Sequence, residues 1–291
     1  MLFPQAIQAL QAAAGELSVT DPSHDIAAAR ARARAVALRA PREEVADVVD
    51  LDAGGVPARL YRPREADPGL IIHFHGGGFV FHDVDVHDAV CRAFANRAQT
   101  AVLSVDYRRP PEDKFPAAVQ DIDAVMSWLE DSDLAGPTYV HGDSAGGNLA
   151  LVAALRHPGR FRAVVLIYPF LDPTGGFPSH DEPGQGFERA EAEWYWQHYA
   201  ATPDDLVDPD LAPLLSDRLG TLPPTLVVTA EHDPLRDEGE HLAHRLAEAG
   251  VSVVATRYLG QVHGFWRHPD TFDAAEPLLW QVAGYLRSQR P

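Results

Sequence analysis

At 291 residues, with 46% apolar and 23% charged side chains, the chain has the composition of an ordinary soluble globular protein, long enough to bury a sizeable core. A formal net charge of −18 repels a phosphate backbone and so excludes nucleic acid as an expected partner. The first residues carry no basic start followed by a sustained apolar stretch, no later run approaches a membrane span, and the sole cysteine, Cys91, can form no internal disulfide, so the expectation is a cytoplasmic protein with no stable membrane association.

Residues 1–40 read as two helices, followed by a hairpin over 45–61 around Ala53-Gly54-Gly55. Short runs rich in Val, Ile and Leu then predict strands over 69–75, 100–107, 138–143, 163–168, 225–230 and 251–258. Amphipathic stretches predict helices over 88–98, 116–131, 145–157, 238–249 and 272–288. That alternation is the pattern of an α/β protein with a mostly parallel central sheet and helices on both faces. Two regions break it: 1–40, and 172–215, which is rich in Pro, Gly and acidic residues around a helix at 188–200. Excursions of this kind tend to carry function, and both are expected to form a helical cap over a site at the strand ends of a single 1–291 domain. Cys91 lies within the predicted helix 88–98 among apolar neighbours and reads as a small packed side chain rather than a nucleophile.

The chemistry is concentrated in a few places. Gly142-Asp143-Ser144-Ala145-Gly146 is a G-x-S-x-G stretch between a buried strand and a helix, the setting of a nucleophile elbow. There a serine hydroxyl stands above the sheet beside a helix N-terminus, where developing negative charge is favoured. His75-Gly76-Gly77-Gly78-Phe79 ends the strand 69–75, and its glycines let backbone N–H groups turn toward a substrate as an oxyanion hole. A serine needs a base and a group to orient that base, expected in the chain order Ser, Asp or Glu, His. Asp233 follows the strand 225–230, with Glu231 and Asp237 as competitors. His263, in Gly260-Gln261-Val262-His263-Gly264-Phe265 after the last strand, stands out among 14 histidines, with His268 as the alternative. His241 with His244, and His82 with Asp85 and His87, have spacings compatible with a metal but no recognisable further ligand, so no metal site is expected.

Together these residues resemble the hormone-sensitive-lipase-like family of α/β-hydrolases, marked by H-G-G-G ahead of G-D-S-A-G. The likeness extends to Arg59-Leu60-Tyr61-Arg62-Pro63, Ser104-Val105-Asp106-Tyr107-Arg108, Phe115-Pro116-Ala117-Ala118 and Asp233-Pro234-Leu235-Arg236-Asp237. The resemblance implies the α/β-hydrolase fold, Ser144 as nucleophile, Asp233 as acid, His263 as base, and the N–H groups of Gly77, Gly78 and Ala145 as oxyanion donors. It implies supporting positions for His75 and Gly76, and anchoring of the elbow and nearby loops by Asp143 and Glu112. Phe79, Trp194, Tyr195 and Tyr199 are candidates to line an acyl pocket, set against packing roles in the core. Arg109-Pro110-Pro111-Glu112 departs from the family, which has a leucine and an alanine ahead of Pro-Glu. The expected activity is hydrolysis of short-chain, fairly apolar carboxylic esters through an acyl-enzyme, with no metal or organic cofactor and a small-molecule ester as partner. An amidase, lactonase or deacetylase with the same triad, or a small-molecule binding protein on this scaffold, are the alternatives. By analogy with the family, two copies pair through the edge strand 251–258.

Overall fold

In the computed structural model, which describes residues 1–134, 136–182 and 186–290, the apolar runs assemble into one sheet. Its strands are β1 (Asp47–Asp52), β2 (Pro57–Arg62), β3 (Leu70–Phe74), β4 (Ala101–Val105), β5 (Thr138–Asp143), β6 (Val164–Ile167), β7 (Thr225–His232) and β8 (Val253–Val262). They lie in the order β1-β2-β4-β3-β5-β6-β7-β8, with β2 antiparallel to both neighbours and all other pairs parallel. β3 and β6 are buried at every position, as strands covered on both faces must be, which is why they read as unbroken apolar runs. β8 alternates between exposed and shielded residues because it is the sheet's edge.

Two hydrophobic clusters flank the sheet. On one face lie α3 (Asp88–Ala98) and α8 (Ala275–Ser288), with Phe94, Leu278 and Val282 fully or almost fully buried. On the other lie α4 (Ala117–Glu130), α5 (Ala145–Arg156) and α7 (Arg236–Glu248), whose Ile122, Leu149 and Leu242 are fully buried. Chain direction reverses about β3: α3 leads outward to β4, and α4 then crosses to β5 on β3's other side. Loops leaving the carboxyl ends of β3 and β5 therefore part, opening a crevice where ligands of such sheets bind. The pairing of Phe74 with Gly142 sets the glycine loop after β3 directly beside the turn after β5.

The two irregular regions both reach this end of the sheet. The first supplies α1 (Pro4–Ala13) and α2 (Ile26–Ala37). α2 buries no residue and is held by polar ties instead. Arg30 donates to the Val80 carbonyl at 2.8 Å, and Arg34 to Asp83 at 2.9 Å. The second region contains α6 (Arg189–Tyr199), started by reciprocal Glu188 and Glu191 bonds to backbone N–H groups. Residues 183–185 of the expected cap insertion lie outside the described residues. The last strand runs four residues past its predicted end, to Val262. Gly260 (φ 69) suggests a loop, yet the ladder resumes through a bulge opposite Ala230 and His232. Among the described residues no helix is long and apolar enough to cross a membrane.

Candidate active site

The step from β5 into α5 takes place at one residue. Ser144 has φ 56 and ψ −122, a left-handed conformation that costs a non-glycine residue about 1–3 kcal/mol and is kept only where its surroundings enforce it. Its N–H donates to the Ile167 carbonyl at 2.9 Å, and its own carbonyl accepts from Asn148 and Phe170 at 3.2 and 3.1 Å. Tight packing leaves no room for a side chain at Gly146, where a Cβ would run into the Phe74 carbonyl. The cramped turn projects Oγ upward while the residue as a whole stays 6% exposed.

Two other strand ends meet this hydroxyl. His263 follows β8 directly, and Ser144 Oγ–H donates to its Nε2 at 2.9 Å. Its Nδ1–H donates to Asp233 Oδ2 at 2.8 Å. Asp233 follows β7, its side chain is fully shielded, and its other oxygen accepts the Leu235 N–H at 2.9 Å, so the carboxylate cannot rotate freely. The imidazole is packed against the rings of Tyr168 (4.6 Å between centroids) and Phe187 (5.0 Å). The competing residues are engaged elsewhere: Glu231 accepts the Gly260 N–H at 2.7 Å, Asp237 accepts the Ser179 N–H at 2.9 Å, and His268 lies exposed on the following turn.

Opposite His263 runs the glycine loop. Asp143 Oδ1 accepts the Gly76 N–H at 3.0 Å, and the Gly76 carbonyl accepts from His75 Nδ1 and His82 Nδ1 at 3.0 and 3.1 Å. Tyr107 donates to the His75 carbonyl at 2.7 Å while its ring stacks on the His75 imidazole. Beyond Gly76, the Gly77 carbonyl takes the Val80 and Phe81 N–H groups and closes the loop. Among the described residues the N–H groups of Gly77, Gly78 and Ala145 donate to no protein acceptor. Gly78 has φ 59 and faces the Tyr195 ring, which a Cβ would overlap.

Ser144 and His263 open into a cavity of about 750 Å³. One wall comes from the N-terminal segment (Leu10, Leu17, His24) and another from the second irregular region (Phe187, Tyr195), with Phe81 and Phe170 between them. Of the four aromatic candidates only Tyr195 lines it. Phe79 and Tyr199 are fully buried and stack face to face at 3.8 Å behind the wall, and Trp194 stacks on His198 at 3.7 Å. α6 turns Ala192, Trp196 and Tyr199 into the core, and Tyr195, one turn before Tyr199 on the flank of that face, is half-buried at the cavity wall. Glu112 does not touch the elbow. It is exposed and pairs with Arg30 at 2.8 Å, tying the loop that replaces the family's usual residues to α2. Arg109 in that loop pairs with Asp106 at 3.1 Å and donates to the His82 carbonyl. Sequence reading missed Tyr168, Phe187, Phe81 and Phe170. Only Tyr168 carried a signal, as the residue ending the strand beside β5.

Beneath the loop, burial holds His73, His82 and His87 well below the usual imidazole range and His141 down to about 3, so all four stay neutral. Burial pushes the Asp143 carboxyl up, opposed by the Arg267 charge and the Gly76 N–H. Ligand-type atoms of His73, His87 and Asp143 lie within 4.8 Å of one another, the one metal-like grouping among the described residues. His73 Nε2 and His87 Nδ1 bond each other at 3.1 Å, and Asp143 holds Gly76, so the group's hydrogen-bonding capacity is largely spent internally.

Residues 71–267, spanning both motifs and all three meeting side chains, match the alpha/beta hydrolase fold family. The chain belongs to that family. The hydrolase is 42% identical over 266 residues to the carboxylic ester hydrolase LipN of Mycobacterium tuberculosis, an alignment covering 83% of this chain and 70% of the relative. It is 36% identical to an ethyl acetate hydrolase of Pseudomonas putida, over 81% of this chain and 79% of that one. An esterase of Pyrobaculum calidifontis has the same architecture, with a TM-score of 0.88 and 36% identity over 99% of both chains. The relation to hormone-sensitive-lipase-like esterases expected from the motifs holds.

Proposed function

We propose that the hydrolase cleaves short-chain, fairly apolar carboxylic esters through an acyl-enzyme on Ser144. Kinship makes it a carboxylic-ester hydrolase, and the observation supporting the residue roles is the continuous bond path from Ser144 Oγ through His263 to Asp233. Ser144 Oγ attacks the ester carbonyl as His263 Nε2 takes its proton. The N–H groups of Gly77, Gly78 and Ala145, uncommitted among the described residues, receive the negative charge that develops on the carbonyl oxygen. His263 then passes the proton to the leaving alcohol, while Asp233 holds the ring in the tautomer that leaves Nε2 free to accept. Water, activated by the same imidazole, releases the acid and restores Ser144. Asp143 acts through Gly76, keeping the loop's amides aimed at the site.

The N-terminal helices and the 172–215 region serve as a two-part cap, and the walls that both contribute to the cavity support a preference for short acyl chains. We place the enzyme in the cytoplasm, in keeping with the unpaired, buried Cys91 thiol. We also propose that two copies pair along the edge strand β8, whose Val254 and Leu259 are exposed; light scattering at the monomer mass opposes this. The activity is tested with p-nitrophenyl esters of increasing acyl length. Turnover that falls at long chains and vanishes in Ser144→Ala supports the reading, and a folded Ser144→Ala variant with wild-type turnover overturns it.

A further inference from the structure

The proposed mechanism gives the cavity's arginine no part in the reaction. Arg267 ends the short 3-10 turn Phe265–Arg267 that follows His263, and it lines the cavity with Ser144 and His263. Its side chain is 17% exposed, and the closest carboxylate oxygen, Asp143 Oδ2, lies 3.9 Å from Nε, beyond hydrogen-bond range. Other arginines shielded to the same degree behave differently. Arg30, Arg59, Arg97 and Arg236 have side chains 12–19% exposed, and each holds a carboxylate at 2.5–2.8 Å. A guanidinium offers five N–H donors in a fixed fork, and among the described residues those of Arg267 donate to no protein acceptor, which leaves them open to a ligand in the cavity.

Among the described residues Arg267 is the only arginine or lysine lining the cavity. The carboxylates among the cavity's lining residues are those of Glu16, Asp143, Glu188 and Glu191, and Arg267 is the one permanent cation set among them. Glu188 and Glu191 are tied to the α6 backbone, and Glu191 also accepts from Ser18 at 3.1 Å. Glu16 is exposed, and Asp143 is engaged with Gly76. The place of Arg267 on the turn that follows His263 points to the alcohol half of the substrate. The leaving alcohol must lie on the His263 side of Ser144, because His263 Nε2 protonates it. Arg267 extends from the same turn, and a Cβ on Gly264 would come within 3.9 Å of its Nη2.

We propose that the preferred substrates are esters whose alcohol part carries a carboxylate, held by Arg267 in a two-pronged hydrogen bond. This rests on the esterase reading of Ser144 and adds the substrate class. The apolar walls receive the short acyl group, and Arg267 orients the alcohol so that its oxygen faces His263. The product is then a hydroxy acid beside a short-chain acid.

The test compares kcat/KM for 4-acetoxybenzoate and its neutral isostere 4-acetoxybenzamide, with the 3-substituted pair to vary reach, in the wild type, Arg267→Gln and Arg267→Lys. A preference for the carboxylate that falls about 10- to 100-fold in Arg267→Gln, mainly through KM, and returns in part in Arg267→Lys supports the proposal. A carboxylate-to-amide ratio unchanged by Arg267→Gln overturns it, since a role exercised only through Asp143 lowers both substrates alike. So does a wild-type preference for carboxylate on the acyl side, read from p-nitrophenyl hemisuccinate against p-nitrophenyl succinamate. Should the variants fail to fold, product inhibition of the wild type decides: 4-hydroxybenzoate inhibiting at least tenfold more tightly than 4-hydroxybenzamide supports the assignment, and equal inhibition overturns it. Turnover of the amide ester by Ser144→Ala strikes at the esterase reading instead, whatever Arg267 does.

Discussion

Replacing Asp233 by Asn tests the division of labour in the site with almost no change of shape. In the native protein both carboxylate oxygens accept: Oδ1 takes the Leu235 N–H at 2.9 Å and Oδ2 takes the His263 Nδ1–H at 2.8 Å. An asparagine offers one acceptor and one amide donor, and cannot meet two donors. The Leu235 N–H is fixed in direction by the backbone, whereas the imidazole can change tautomer. The amide oxygen therefore stays with Leu235, and its NH₂ faces His263 Nδ1. That nitrogen must then carry a lone pair, the proton moves to Nε2, and Nε2 can no longer accept from Ser144. The expected loss in kcat is about 10⁴-fold, or about 5.5 kcal/mol of transition-state stabilisation. Because the Leu235 bond survives, the melting temperature should move little. Steady-state hydrolysis of p-nitrophenyl acetate across the pH range, with thermal unfolding alongside, reads both quantities. Activity within tenfold of wild type in the folded Asp233→Asn variant refutes the reasoning.

Gly78→Ala should cost about 10²-fold in kcat/KM together with a fall in melting temperature, since the residue has a positive φ and the Cβ meets the Tyr195 ring and turns the Gly78 N–H from the site; kinetics within threefold of wild type speak against its role as an oxyanion donor. Away from the chemistry, Glu238 is fully buried against His180 and accepts the Leu171 N–H at 2.6 Å, and burial pushes its carboxyl up to about 7. A carboxyl that holds its proton more tightly in the folded state than its ordinary 4.5 gives stability fully present below pH 4.5 and lost as pH rises through 7. Glu238→Gln removes that titration, so thermal unfolding from pH 4.5 to 8 should show the variant gaining on wild type as pH rises, by on the order of 2 kcal/mol. A difference that stays constant with pH contradicts the shift.

What was legible in the sequence follows from how each feature is encoded. β3, β5 and β6 fell within a residue of their predicted ends because burial on both faces demands continuous apolar runs bounded by polar or glycine residues. The end of β8 was misread because an edge strand alternates and Gly260 imitates a turn. That Ser144, Asp233 and His263 meet was legible through chain order and position at strand ends, constraints that are local in sequence. Cavity lining was not. Tyr195 and Tyr199 lie one turn apart on the same side of α6, so which of them reaches the cavity depends on where along the helix the cavity lies, and Phe187 reaches His263 only through the path of the second irregular region. Arg267 escaped notice for a related reason: what marks it is the lack of a carboxylate at bonding distance, and that is a property of the assembled site.

The most direct test of the central claim is covalent trapping. The protein is treated with an excess of a p-nitrophenyl alkylphosphonate, which a serine nucleophile attacks with release of p-nitrophenolate, and the product is digested and mapped by mass spectrometry. The account predicts loss of esterase activity in step with one phosphonyl group per chain, carried on Ser144 and absent from Ser144→Ala. Inactivation with the adduct on another residue, or full activity after Ser144 is modified, would contradict it.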